Sequence, residues 1–168
     1  MSELGKLVLQ FADKNYRTKV GDGECWTLAE RALESAGAKT SNDLQDVNKT
    51  VNYVWGTEVP IGTALPGDIV QFQDGFKVET KVTHADGSWE SRIDIIGLHH
   101  TAIVKTIKIT GKRMQLIGQN LPPRSGVNTK DFFFKSYTFE EGADKFEVTV
   151  NGVVKFYRPI AKPAAKRK

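Results

Sequence analysis

The apolar residues of this chain change their repeat once, and that change limits the folds open to it. Near the N-terminus they recur at helical spacing. Leu4, Leu7, Val8, Phe11 and Ala12 fall at i, i+3, i+4, i+7 and i+8, which predicts an amphipathic helix over 3–15 with Ser2 as its N-cap. After a glycine-rich turn, "VGDGE", the residues Leu28, Ala29, Ala32, Leu33 and Ala36 repeat that spacing, and Gly37 is a natural stop. Extending the second stripe back by three residues lands on Cys25, so a second helix carries Cys25 in its first turn, on its packed face. Residues 39–52 are polar and read as loop or short helix. From "ALPGDIVQF" onward the pattern is that of strands. "FKVETKVTH" and "SWESRIDII" flank an Asp86-Gly87 turn, "TAIVKTIKI" and "RMQLIGQ" flank "TGK", and "FEVTV" and "VVKFYR" flank Asn151-Gly152. Each pair reads as a hairpin, and "DFFFKSYTF" reads as a core strand. Helices first and antiparallel strands after them predict an α+β fold, with the N-terminal helices packed on an antiparallel sheet.

The length, 168 residues, suits one domain. We expect it to span 1–160, with 161–168 a basic, disordered tail. Four cations, Lys162, Lys166, Arg167 and Lys168, sit in that tail, and they equal the whole net charge of +4. The body is therefore neutral, and nucleic acid is not an expected partner. No apolar run approaches the roughly 20 residues of a membrane span. The N-terminus lacks the basic start, apolar block and cleavage site of a secretory signal. The expectation is a cytoplasmic protein, or one exported by a non-classical or phage route, acting as a monomer. One cysteine excludes an internal disulfide framework. His99 and His100 are adjacent, so on a strand they point to opposite faces and do not share an ion. No metal or cofactor is expected.

A thiol is a useful nucleophile only as a thiolate. The first turn of a helix favours that form, because its free N–H groups and the positive end of the dipole stabilise negative charge. The same N–H groups suit the oxyanion of acyl transfer. Gly21 and Gly23 let the backbone turn sharply beside Cys25. A base is still required, together with a group that orients it. "GLHHTAIV" offers histidines at the head of a strand, and "LIGQN" offers amides at the end of the next. If that hairpin turns at Thr110 to Lys112, positions summing to about 220–222 are opposed, which puts His100 near Asn120. A loop of different length puts it near Gln119 instead.

These segments, taken in order, resemble the CHAP amidohydrolase/peptidases and their NlpC-type relatives among the papain-like cysteine hydrolases. "GECWTLAERALESAG" is similar to the helix that opens with the nucleophile, and "ALPGDIVQF" to the Pro-Gly-Asp strand entry. "HTAIV" is similar to the strand headed by the catalytic histidine, and "GQN" to the segment with the orienting residue. Together they cover most of 16–121. The resemblance implies a papain-like fold and a cysteine amidase or endopeptidase with Cys25 as nucleophile, His100 as base and Asn120 as orienter. It also implies amide bonds of peptidoglycan peptides as substrate. Many members carry a glutamate two residues before the asparagine, where this chain has Gly118. Tyr16, Gln119 and Trp26 are the expected substrate-binding residues, and Arg124 is placed to rim the cleft. Cys25 and His100 are 75 residues apart, closer than the roughly 130–150 of papain-type enzymes.

A second reading stands beside the first. Cys25 is a core thiol, and the same fold is a non-catalytic module that binds a peptide or partner. His99 is then only a neighbour, His84 an exposed residue beside a turn, and Asp22 an ordinary N-cap. Glu24, next to the thiol, works against the dipole by raising the thiol pKa.

Overall fold

A computed structural model describes residues 1–108, 113–121 and 126–163. Helix α1 spans Glu3–Lys14, and the Ser2 hydroxyl accepts the Gly5 N–H at 3.0 Å, so the expected cap is present. Helix α2 spans Cys25–Ser35. Its N-cap position is Glu24, whose side chain makes no capping bond. Asp22, two residues earlier, supports the helix start instead: its Oδ1 accepts the Glu24 N–H at 3.0 Å and the Thr27 hydroxyl at 2.6 Å. A third helix, α3, covers Ser41–Leu44, within the stretch expected to be loop or short helix.

Eight strands follow: β1 Thr57–Val59, β2 Ile69–Thr83, β3 Trp89–Gly97, β4 His100–Lys108, β5 Arg113–Gly118, β6 Asn128–Phe133, β7 Tyr137–Glu141 and β8 Asp144–Arg158. They form one antiparallel sheet in the order β1-β8-β2-β4-β5-β6, with β3 added to β2 and β7 to β8. Strands β3 and β4 lie end to end along the same side of β2, because β8 occupies the other side throughout. The architecture is the expected α+β.

Alternation of side chains divides the apolar residues between two cores. Ile69, Ile103 and Ile117 face α1 and α2 and pack with Val8, Leu28, Leu33 and Trp55. Val70, Phe72, Ala102, Val104 and Leu116 face the other way, into an aromatic core with Phe76, Phe132, Phe134 and Phe156. Phe132 and Phe134 belong to the 131–139 segment expected to be one core strand, which the structure splits: β6 ends at Phe133 and β7 starts at Tyr137.

Two further strand arrangements differ from expectation. The Asn151-Gly152 hairpin does not form, because β8 is a single strand that runs through it. Both of its halves pair with β2 (Val153↔Gln73, Asn151↔Lys77), so they cannot pair with each other. Gly152 (φ 92°) and the Asp74-Gly75 pair (φ 58° and 68°) supply left-handed conformations at this register shift. A Cβ on Gly152 would lie 2.6 Å from Phe76 Cα, so only glycine fits against the facing backbone. The turn that leads into β8 is at Gly142 (φ 63°) instead. Likewise β2 is one strand across Asp74, where the sequence suggests two.

The pairing of β4 with β5 follows the expected register, with Ile103 opposite Ile117 and Val104 opposite Leu116. The Thr110 to Lys112 turn and Arg124 lie outside the described residues. At the C-terminal end Ala161 bridges to Ala38 and the Lys162 N–H donates to the Gly37 carbonyl at 2.9 Å. The chain is thus held to the end of α2 at positions expected to begin a disordered tail, and 164–168 lie outside the described residues. Among the described residues no helix is long and apolar enough to cross a membrane.

Candidate functional site

The chain reaches Cys25 through the 20–24 loop, and Gln119 fixes that loop to the end of β5. The Gln119 side chain is fully buried. Its Oε1 accepts the Val20 N–H at 2.6 Å, and its Nε2 donates to the Val20 and Glu24 carbonyls at 3.0 and 2.9 Å. An amide donates and accepts at once, which is what a loop with free N–H and C=O groups needs. Gln119, expected at a substrate contact, therefore positions the backbone just ahead of Cys25.

Cys25 is half-buried at the start of α2. Burial pushes its thiol pKa up, and the neighbouring Glu24 carboxylate pushes in the same direction. The backbone N–H groups of Thr101 and Trp26 point at the sulfur and pull the other way without offsetting burial. The sulfur is a thiol at neutral pH.

A cavity of ≈ 300 Å³ opens beside it, lined by Asp22, Glu24, Cys25, Trp26, Val51, Tyr53, Gln71, His99, His100 and Thr101. Its floor is a polar network. Gln71 Oε1 accepts the Trp55 indole N–H at 2.9 Å and the Thr101 hydroxyl at 2.8 Å. Its wall is aromatic, with the Trp26 and Tyr53 ring centroids 6.1 Å apart. Trp26 is held in place by its indole N–H, which donates to Ser41 Oγ at 2.9 Å. Ser41 in turn donates to the buried Glu30 carboxylate. Trp26, expected at a substrate contact, thus stands in the cavity wall. Asp22 is kept ionised by its bonds from Thr27 and from the Glu24 N–H.

The structure brings Cys25 and His100 to one cavity but leaves Asn120 outside its lining. Thr101 faces Cys25 and bonds Gln71, so His100, one residue earlier on β4, faces the aromatic core. It pairs with Phe72 across the ladder, with ring centroids 6.4 Å apart. The imidazole is only 5% exposed, and among the described residues its Nε2 has no hydrogen-bond partner. Burial alone pushes its pKa down to about 4. Such a histidine is neutral at physiological pH. His99, read as the neighbour that faces away, is exposed and lines the cavity. Asn120 is exposed in a bend beyond β5, in a left-handed conformation (φ 58°). Tyr16 lies outside the cavity lining, with the Arg17 guanidinium 5.5 Å from its ring centre.

The residues that sequence reasoning missed are Thr101, Gln71 and Tyr53. Their signal is parity. Thr101 shares a face with Ile103, and Gln71 with Ile69, so either apolar neighbour reports the face once the helix side is known. Among the described residues no group of three His, Cys, Asp or Glu side chains is placed to hold a metal ion.

A family model described as the AIM3/BBC1 cysteine proteinase-fold domain matches residues 1–167. No curated protein matches the chain, and no solved structure does.

Proposed function

Because the chain belongs to the AIM3/BBC1 cysteine proteinase-fold domain family, a name that states a fold and no reaction, we propose that it is a non-catalytic module that binds a peptide segment of a partner in the Cys25 cleft. One observation carries this reading. The Thr101 hydroxyl is bonded to Gln71, while the His100 ring is buried against Phe72 with no charged group acting on it. A threonine hydroxyl does not take a thiol proton at neutral pH, and burial holds the thiol protonated. The cleft is suited to binding. Trp26 and Tyr53 supply rigid aromatic area at low entropic cost, and Asp22 and Glu24 line the same cavity with carboxylates.

The second reading is a cysteine amidase of the CHAP or NlpC kind, cleaving peptidoglycan amides through Cys25, His100 and Asn120. What favours it is Cys25 at the head of α2 with two N–H groups on its sulfur, beside an exposed His99.

Iodoacetamide alkylation of Cys25 against pH separates the two, measured in wild type, His99→Ala and His100→Ala. The binding module gives a rate that rises only near or above the ordinary thiol pKa of about 8.5, unchanged in His99→Ala. Fast alkylation below pH 7 that collapses in either variant overturns it in favour of the hydrolase. Peptides selected on wild type from a random library should lose binding to Trp26→Ala and Tyr53→Ala.

A further inference from the structure

Strand β3 is a free edge: among the described residues it pairs only with β2. Edge strands that stay free in solution are usually short, carry lysine or proline, or are covered. β3 is nine residues long and contains neither proline nor lysine; its protection is limited to three charges of mixed sign and a register shift at its Gly97 end. Its side chains alternate in a definite way. Glu90, Arg92 and Asp94 face a groove of ≈ 460 Å³ that Lys130 and Phe132 of β6 also line. Trp89, Ile93 and Ile95 face the opposite side, where Trp89 is 63%, Ile93 55% and Ile95 62% exposed. Three large apolar side chains therefore lie exposed together on the outermost strand, the kind of patch that marks interaction sites.

We propose that this edge pairs, antiparallel, with the same edge of a second copy of the chain, about a two-fold axis through Ser91. The sequence of β3 is self-complementary about that residue. Glu90 stands opposite Arg92 of the second copy, and Arg92 opposite its Glu90. Trp89 stands opposite Ile93, and Ile93 opposite Trp89. Opposite charges and aromatic/β-branched pairs are the favourable cross-strand neighbours, and two-fold symmetry makes each of them twice. A register centred on Ile93 is poorer. It sets Glu90 against Ile96 and draws in Asp94, which already holds Lys130 at 3.3 Å. The Ser91 register leaves that ion pair alone. Arg92 bonds Asp94 at 2.6 Å within its own strand, and its guanidinium has further donors for a second carboxylate. The proposed assembly departs from the expectation of a monomer and is independent of the Cys25 cleft.

Sedimentation equilibrium of the full chain, from micromolar to near-millimolar concentration, tests it. Wild type should show a monomer–dimer equilibrium, and Ile93→Lys should weaken it at least tenfold with an unchanged far-UV spectrum. Glu90→Arg alone should weaken it, and Glu90→Arg combined with Arg92→Glu should restore it. In a Cys25→Ser background, Ser91→Cys should oxidise to a covalent dimer and Ile95→Cys should not. A wild type that stays monomeric throughout overturns the proposal, and so does a dimer indifferent to Ile93→Lys. Preferential cross-linking at position 95 also overturns it. A monomer that instead binds an alternating apolar peptide, with loss in Ile93→Lys, assigns the edge to an unrelated strand and rejects the second copy.

Discussion

Mild acid should destabilise the wild-type protein far more than a His100→Leu variant. His100 is 5% exposed, and among the described residues its Nε2 lacks a partner, so the imidazolium is poorly tolerated and the native pKa falls to about 4. In the unfolded chain it returns to about 6.5. Between those values the unfolded state binds a proton that the native state refuses. Stability therefore rises with pH across that window and falls as pH is lowered through it. From pH 7 to pH 5 the loss is about 2 kcal/mol, and it approaches about 3 kcal/mol near pH 4. For a chain of this size about 2 kcal/mol corresponds to roughly 4–8 °C in Tm. Urea unfolding at pH 7, 6 and 5 reads it directly. The quantity to compare is the change with pH in each protein, so the fixed effect of the substitution cancels. His84 runs the other way: the bond it donates to Asp144 raises its pKa, so its contribution is present below about 6.5 and lost as pH rises through the raised value. It is shared by both proteins and cancels too. Parallel profiles for wild type and variant would refute the reasoning. They would mean that the ring reaches water or a charged partner, and that β4 presents the opposite face to Cys25.

Two further substitutions test how the site is held. Gln119→Leu removes three hydrogen bonds to Val20 and Glu24 and should cost roughly 2–4 kcal/mol. The loosened loop should also speed Cys25 alkylation, so urea midpoint and alkylation rate move together. Gly152→Ala forces a Cβ to within 2.6 Å of Phe76 Cα at φ 92° and should cost about 2 kcal/mol or more. Gly37→Ala, at φ 71° with nothing within 4 Å, should cost only about 1 kcal/mol, and thermal melts of the pair separate collision from backbone strain.

Helical spacing placed α1 and α2, and Ser2 and Gly37 marked their ends. The β4–β5 register followed from counting. What sequence could not supply was the choice between equivalent faces. In "HHTAIV" the odd residues Thr101 and Ile103 and the even residues Ala102 and Val104 are comparably apolar, and a one-residue slip exchanges the faces. Only packing on α2 decides, and it turns His100 away. Asn151-Gly152 failed for a related reason. A turn dipeptide requires its flanks to pair with each other, and here the longer partner, β2, takes both.

Strands β2 and β8 lie side by side for most of their length, and both cores are built on them. Ile69 and Tyr157 belong to the helix side, Val78 and Val148 to the aromatic side. Neither half can come apart without breaking a ladder the other depends on. A substitution among the phenylalanines is thereby felt at Cys25 as a change in how often the cleft exists at all. The cleft inherits its permanence from a core that it meets at His100.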